Sequence, residues 1–267
     1  WPDRGKLVLT DQMEVHSGGC AVNTGIALAK IGIPTGIIGK IGSDAFGDFL
    51  ISECQQAGLD VRGVKKSPAI NTSATMVIVH SDGERSFIHY LGANAEFTED
   101  DINQQLLSET KNLHLAGTFL MPKFDGKPAM QLLKQAKKTG LTTTLDTAWD
   151  SKGRWMKLLK PMLPYVDIFL PSIEEAKMIT ERSAPEEISQ ILMENGVKTV
   201  VLKMGEDGCF IRTEDTKLTV PPYQVNVVDA TGAGDSFVAG FLAGMVNRWD
   251  LEKSARFANA AGAFCVT

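Results

Sequence analysis

Apolar positions along the chain change period several times, and the changes mark out its elements. Leu7, Val8 and Leu9 are β-prone, and residues 13–16 read as a continuation of the same extended segment. Gly18 and Gly19 break it. Ala21, Ile26, Ala27, Leu28 and Ile31 then recur at helical spacing as far as Gly32. Residues 35–39 predict a short buried strand, and Phe46, Phe49, Leu50 and Cys54 mark a helix stopped at Gly58. Residues 72–79 and 85–91 are both β-prone and flank Ser81, Asp82, Gly83 and Glu84, a good hairpin turn. Beyond them the pattern becomes regular. Strands predicted at 112–116, 142–146, 167–170 and 199–203 alternate with helices near 128–138, 152–163, 173–180 and 185–194. A second hairpin, 209–212 with 218–220, precedes a β-prone run at 225–228 and the last two helices, of which the first covers 236–246. Alternation of this kind predicts a mostly parallel sheet covered on both faces. The expected architecture is a layered α/β body carrying a small β element built from the early strand and the 72–91 hairpin. Ligands of such sheets gather at the carboxyl ends of the strands.

Composition narrows the function without naming it. The 267 residues are about the limit for a single hydrophobic core, so one domain with an appendage is expected. The formal charge is -5, and the basic pairs Lys65-Lys66 and Lys137-Lys138 are too short for a nucleic-acid footprint. Neither a nucleic acid nor a membrane is expected as partner, because the longest apolar stretch, 237–246, is bracketed by Asp235 and Arg248. Cys20, Cys54, Cys209 and Cys265 form no CxxC pair, and His16, His80, His89 and His114 show no metal-ligand spacing. Reduced thiols in a cytoplasmic protein are the expectation. The chain opens on Trp1 and closes on Val266-Thr267, so both ends are read as cut.

One segment carries chemistry. Asp229-Ala-Thr-Gly-Ala-Gly-Asp235 follows a β-prone run and opens a helix. Glycines at a helix start let backbone N–H groups approach an anion, and the helix dipole adds positive potential there. Placing Asp235 in that anion site is unfavourable unless the carboxylate has a task, and taking a proton from an attacking hydroxyl is one. The alternative is an early-helix acid that complements the dipole. Two common nucleotide motifs are absent: Gly39-Lys40 is followed by Ile41 rather than Ser or Thr, and Gly232-Ala-Gly234 is followed three residues on by Phe237.

Residues 229–241 resemble the carboxyl-terminal signature of the ribokinase-like PfkB carbohydrate kinase family. Gly18-Gly19-Cys-Ala-Val-Asn23, continuing through Gly39-Lys-Ile-Gly-Ser-Asp44 and Phe46-Gly47, resembles its amino-terminal signature. The resemblance implies a ribokinase-like, Rossmann-type layered αβα body in one domain with a small β-sheet lid, from segments near 5–17 and 70–92, which often forms a homodimer interface. It implies ATP and Mg²⁺ as cofactors and a small sugar or sugar-like acceptor. Asp235 would be the general base, and Gly232, Ala233 and Gly234 the anion hole. Gly18, Gly19 and Asn23 would hold sugar hydroxyls. Ser172 and Glu175 match the family's N-x-x-E element with Ser172 in place of asparagine, and Glu175 would act on Mg²⁺ through water. The same residues also form an S-x-x-E capping box. Lys203 and Gly205 fall where the family contacts nucleotide, and Asn259 where it lines the adenine pocket, with a plain helical surface as the other reading. Asp229 and Thr231 match positions that bind a monovalent cation such as K⁺ in some members.

Departures from the pattern leave the acceptor open. Asp146-Thr-Ala-Trp-Asp150 stands where some members carry D-x-N-x-R, and Ala148 and Asp150 remove the anchor for an acidic sugar. The leading expectation is an ATP:sugar phosphotransferase. A nucleoside, sugar-phosphate or vitamin-precursor kinase of the same fold remains an alternative. So does a non-catalytic sugar sensor, although a sensor has no need of Asp235.

Overall fold

A computed structural model of the protein describes residues 3–79 and 85–267. In chain order the elements are α1 (Cys20–Ile31), β1 (Gly36–Gly42), α2 (Ala45–Gln56), β2 (Asp60–Ser67), β3 (Ala74–Val79) and β4 (Arg85–Tyr90). Then come α3 (Gln104–Ser108), β5 (Asn112–Thr118), α4 (Lys127–Lys138), β6 (Thr142–Thr147), α5 (Trp155–Leu159), β7 (Ile168–Phe169), α6 (Ile173–Thr180) and α7 (Pro185–Glu194). The chain finishes with β8 (Thr199–Lys203), β9 (Cys209–Arg212), β10 (Lys217–Val220), α8 (Ala233–Val246) and α9 (Leu251–Cys265).

Among the described residues the main sheet runs in the order β10-β9-β8-β7-β6-β5. From β5 to β8 it is parallel, and β9 and β10 close one side antiparallel. Two cores sandwich it. One includes Leu115, Leu145, Phe169 and Leu202 against α4, α6 and α7; the other joins Ile168, Leu170 and Val201 to α8, α9 and Leu28 of α1. The expected layered body is therefore present, and its second face is roofed by α1 and α8. No helix among the described residues is long and apolar enough to cross a membrane.

β1 and β2 form a separate parallel pair. The pattern concealed β2, because Val61 and Val64 are interrupted by Arg62, Lys65 and Lys66. The amino-terminal signature is built into this corner. Asp44 caps α2 by accepting from Gly47 N at 2.8 Å, and it also accepts from Thr72 N and Thr72 Oγ1, both at 2.7 Å. A Cβ on Gly42 would lie 2.6 Å from Ile70 O, and one on Gly47 would lie 2.4 Å from Gly42 O. These glycines are fixed by backbone contact. Lys40 bonds Glu96 O at 3.0 Å and Asp101 Oδ2 at 2.9 Å, an anchor for the following loop rather than a phosphate ligand.

Three expectations are corrected. Residues 6–17 form no strand, and Leu7, Leu9 and Met13 are exposed, because no strand among the described residues offers them a ladder. Among the described residues the small β sheet thus consists of β3 and β4, paired antiparallel from Ala74↔Tyr90 to Val79↔Arg85; the turn residues expected at 81–84 lie outside the described residues. The run 225–228 is also irregular, held by Val228 N to Val266 O at 2.8 Å instead of by a strand. The helix expected over 152–163 shrinks to α5, since Gly153 takes φ +64° and Pro161 and Pro164 withhold the N–H groups a longer helix needs.

Candidate active site

The first turn of α8 meets the first turn of α1 above the carboxyl ends of β6 and β8. Gly232 precedes α8 with φ +77°, a left-handed conformation that a side chain would strain. This bend turns the chain into the helix and leaves the N–H groups of its first turn without intrahelical acceptors. The Ala233 N–H leans back to Ala230 O at 3.3 Å, so Gly232 and Gly234 are the better placed of the expected donors.

Asp235 lies in that turn, and α1 supplies its nearest partner. Asn23 Nδ2 donates to Asp235 Oδ2 at 2.7 Å, and Thr24 Oγ1 donates to the Asp235 carbonyl at 3.3 Å. The Cys20 thiol also favours the ionised carboxylate. Burial raises the Asp235 pKa above its ordinary value, while Asn23, the Lys203 cation and Cys20 work against the rise and Glu175 adds to it. Burial, reinforced by Asp235 and Asp146, also pushes the Cys20 thiol up. Cys20 is therefore a neutral thiol here. Gly18 and Gly19 precede α1, and a Cβ on either would meet nothing within 4 Å, so their backbone borders open space next to Asn23.

Beneath α8 lies a buried ion pair. Lys203 Nζ, at the end of β8, lies 2.9 Å from both Oδ1 and Oδ2 of Asp146 on β6. The two side chains are 13% and 2% exposed. Burial pushes the Asp146 carboxyl up to about 7, with Lys203 pulling the other way. Burial likewise opposes the Lys203 charge, but Asp146, Glu175 and Asp235 together outweigh it and leave the ammonium's pKa raised. A Cβ on Gly234 would sit 3.5 Å from Lys203 Nζ, so the ammonium lies directly under the glycine turn.

Glu175 completes the centre from α6. Its Oε2 accepts from Ser172 N at 3.0 Å and from Thr147 Oγ1 at 3.1 Å, while Glu175 N donates to Ser172 Oγ at 3.3 Å. The capping box is formed, and it aims Glu175 at the end of β6. Gly205 opens a one-turn 3-10 helix after β8, and a Cβ there would meet nothing within 4 Å. Asn259 departs from the helical-surface alternative. It is buried, with Nδ2 donating to Val220 O at 3.2 Å and Pro221 O at 2.9 Å, so it ties α9 to the end of β10. Asp229 Oδ1 accepts from Thr231 N at 2.8 Å and Thr231 Oγ1 at 2.7 Å, a local turn ahead of the glycines.

The structure thus gathers Asn23, Asp235, Gly232, Gly234, Lys203 and Glu175, while Gly205 follows β8, Asn259 ties α9 to β10, and Asp229 and Thr231 form the turn ahead of the glycines. Asp146, Thr147 and Cys20 join the centre unassigned by the sequence reading. The signal for Asp146 was its place at the carboxyl end of a predicted strand, the ligand-facing edge.

A family model described as pfkB family carbohydrate kinase matches residues 2–267. The chain belongs to the pfkB family of carbohydrate kinases. It is 31% identical over 265 residues to probable fructokinase-5 of Arabidopsis thaliana, an alignment covering 94% of this chain and 82% of that protein. Its fold matches that of Arabidopsis thaliana ribokinase complexed with ribose and ATP, with a TM-score of 0.84 and 27% identity over 100% of this chain and 86% of that one. A candidate ribokinase II from E. coli, solved with ATP and Mg²⁺, gives a TM-score of 0.83 and 26% identity over 98% and 88% of the two chains. This pfkB chain is accordingly ribokinase-like in fold, and its activity is that of an ATP-dependent sugar kinase.

Proposed function

We propose that the chain transfers the γ-phosphoryl group of ATP to a hydroxyl of a small neutral sugar, with Asp235 as general base. The observation that carries this reading is a buried carboxylate in the first turn of α8, fixed by Asn23 on one oxygen and flanked by the Lys203 ammonium. Asn23 spends its N–H on Oδ2, which leaves lone pairs of the carboxylate to accept the hydroxyl proton. Burial makes Asp235 a stronger base than a solvated aspartate, and Lys203 keeps it from being neutralised outright. Gly232 and Gly234 present N–H groups to the charge that spreads over the phosphoryl oxygens, aided by the dipole of α8. Gly18, Gly19 and the free side of Asn23 border the acceptor, and the absence of an arginine at Asp150 favours a neutral one.

Mg²⁺ would neutralise phosphate charge, and Glu175 is the residue suited to hold it through water. The described residues contain no cluster of three or more His, Cys, Asp or Glu able to cage a metal. That donor set fits an ion arriving on the triphosphate. Lys203 and Gly205 belong to the nucleotide side, and Asn259 supports it indirectly through β10. A K⁺ requirement through Asp229 and Thr231 stays within the proposal, as do the homodimer through the β3–β4 lid and the cytoplasmic setting.

The test is ADP release across a panel of neutral sugars, acidic sugars and nucleosides. Turnover with a neutral sugar well above the acceptor-free rate supports the reading. No acceptor-dependent turnover with any of them would overturn it.

A further inference from the structure

The buried pair beneath the glycine turn has a geometry that its role as a nucleotide contact does not explain. Lys203 is the last residue of β8 and Asp146 lies near the end of β6, with β7 between them in the sheet. Strands two places apart are about 9–10 Å from each other, which is within reach of a lysine stem only when it is extended. Between them the chain stays alongside β8 as far as Ser172, which bridges Lys203, and the Pro171 carbonyl takes the Lys203 N–H at 3.0 Å, so the lysine side chain spans this segment to reach Asp146. Lys203 therefore stretches under Gly234 and is gripped by both Asp146 oxygens at 2.9 Å. Two other carboxylates, Asp235 and Glu175, act on the same ammonium electrostatically, but neither bonds it in the structure.

A lysine is a flexible point charge with three donors. Left to itself beside three carboxylates it would pair with whichever it reached, and pairing with Asp235 would consume the lone pairs the acceptor hydroxyl needs. We propose that Asp146 is a positioning residue for phosphoryl transfer, gripping the Lys203 ammonium beneath Gly234 so that it stays close to Asp235 without pairing with it. Held there, the cation keeps Asp235 ionised and places positive charge under the transferring phosphate. The inference rests on the kinase reading above and adds a residue which that reading does not use.

Kinetics on Asp146→Asn, Lys203→Met and the apolar pair Asp146→Leu/Lys203→Met test it. Each single change lowers kcat about 10–100-fold, and the pair falls no further than the worse single, because all three break one device. The pH profile supplies the readout a merely structural pair would not move. In Asp146→Asn the freed ammonium turns to Asp235, and the acid limb of kcat/KM shifts to lower pH. In the apolar pair the cation is gone, and the limb shifts to higher pH under the remaining influence of burial, Asn23 and Cys20 from α1, and Glu175 from α6. Removing one partner of a buried pair can unfold a protein, whereas replacing both with apolar groups is often tolerated. If Asp146→Asn does not fold, the apolar pair decides alone: folded and slow with a raised limb supports the proposal, folded and as fast as the parent overturns it. Near-normal kcat in Asp146→Asn, or losses that multiply in the pair, would also overturn it. Asp235→Asn run in parallel keeps the two readings apart, since an active Asp235→Asn removes the base without touching the 146–203 coupling.

Discussion

A carboxylate in the first turn of a helix ordinarily complements the dipole, and at Asp235 burial raises the carboxyl's pKa while Asn23 and Lys203 oppose the rise, the setting the proposed base needs. Asp235→Asn keeps shape and hydrogen-bonding capacity but cannot take the proton. Its kcat should fall about 10²–10⁴-fold, with ATP affinity level or improved as a negative charge leaves the phosphate site. A near-normal kcat, or lost thermal stability with turnover per folded molecule intact, would return Asp235 to a structural role. Asp235 was legible because glycines and an acid at a helix start conflict unless the acid works. Asp146 was less so, because a strand-terminal aspartate marks only the ligand-facing edge until the fold brings Lys203 to it across β7. His114 shows the same limit. Its Nδ1 lies 2.8 Å from Thr144 Oγ1, its buried Nε2 has no partner among the described residues, and burial, with a smaller push from Lys203, lowers its pKa to about 3. Below its ordinary value of 6.5 the unfolded chain binds a proton that the native chain refuses. The contribution is therefore complete above pH 6.5 and is lost progressively as pH falls toward about 3. His114→Gln should flatten the decline of melting temperature between those limits, and parallel curves for the two proteins would exclude the effect.

At the scale of elements, periodicity located α6, α7 and β8 to the residue: Ser172 caps α6, Pro185 opens α7, and β8 is a compact apolar run closed by Lys203 ahead of Gly205. It failed where an element depends on a distant neighbour. Residues 6–17 are β-prone yet unpaired, and β2 is polar in sequence yet forms a ladder because β1 lies beside it. The hairpin β3–β4 sits between these cases: its strands were legible, but its surroundings were not. Met76 faces Ile88 across the ladder and Val77 faces Phe87, and all four remain exposed. A two-stranded sheet with apolar residues on both faces is barely stable in water alone. It is expected to be covered by a second copy of the chain. Sedimentation should show a dimer, and replacing Val77 and Phe87 with serine should raise its dissociation constant at least about tenfold, each buried apolar side chain being worth roughly 1.5–3 kcal/mol. A parent protein that stays monomeric at high concentration would exclude this interface.

For the molecule as a whole, the site is a junction rather than an element. α1 brings Asn23 and Cys20, α8 brings Asp235 and the glycine turn, β6 and β8 bring the buried pair, and α6 brings Glu175. Three carboxylates, Asp146, Glu175 and Asp235, act on a single buried ammonium there, an imbalance that only the fold assembles, since Asp235 alone of the four lies in either signature. A centre with that charge needs cations to accept a triphosphate, and the described residues hold no cluster able to cage one. The metal and the nucleotide are thus expected to bind as a unit. Anything that binds the native state stabilises it in proportion to the logarithm of its concentration over its dissociation constant, about 2.7 kcal/mol at a hundredfold excess. In a chain of this length that corresponds to a rise of roughly 5–10 °C in melting temperature. Mg²⁺ alone at millimolar concentration should leave the melting temperature unchanged, ATP with a chelator should raise it little, and the two together should give the full rise. Glu175→Gln should reduce kcat at limiting Mg²⁺ more than it reduces that rise, because its carboxylate acts on charge that grows during transfer. A full shift from Mg²⁺ alone would mean that the protein carries a metal site of its own. Equal turnover of Glu175→Gln and parent at limiting Mg²⁺ would remove Glu175 from the chemistry and leave it only the cap of α6.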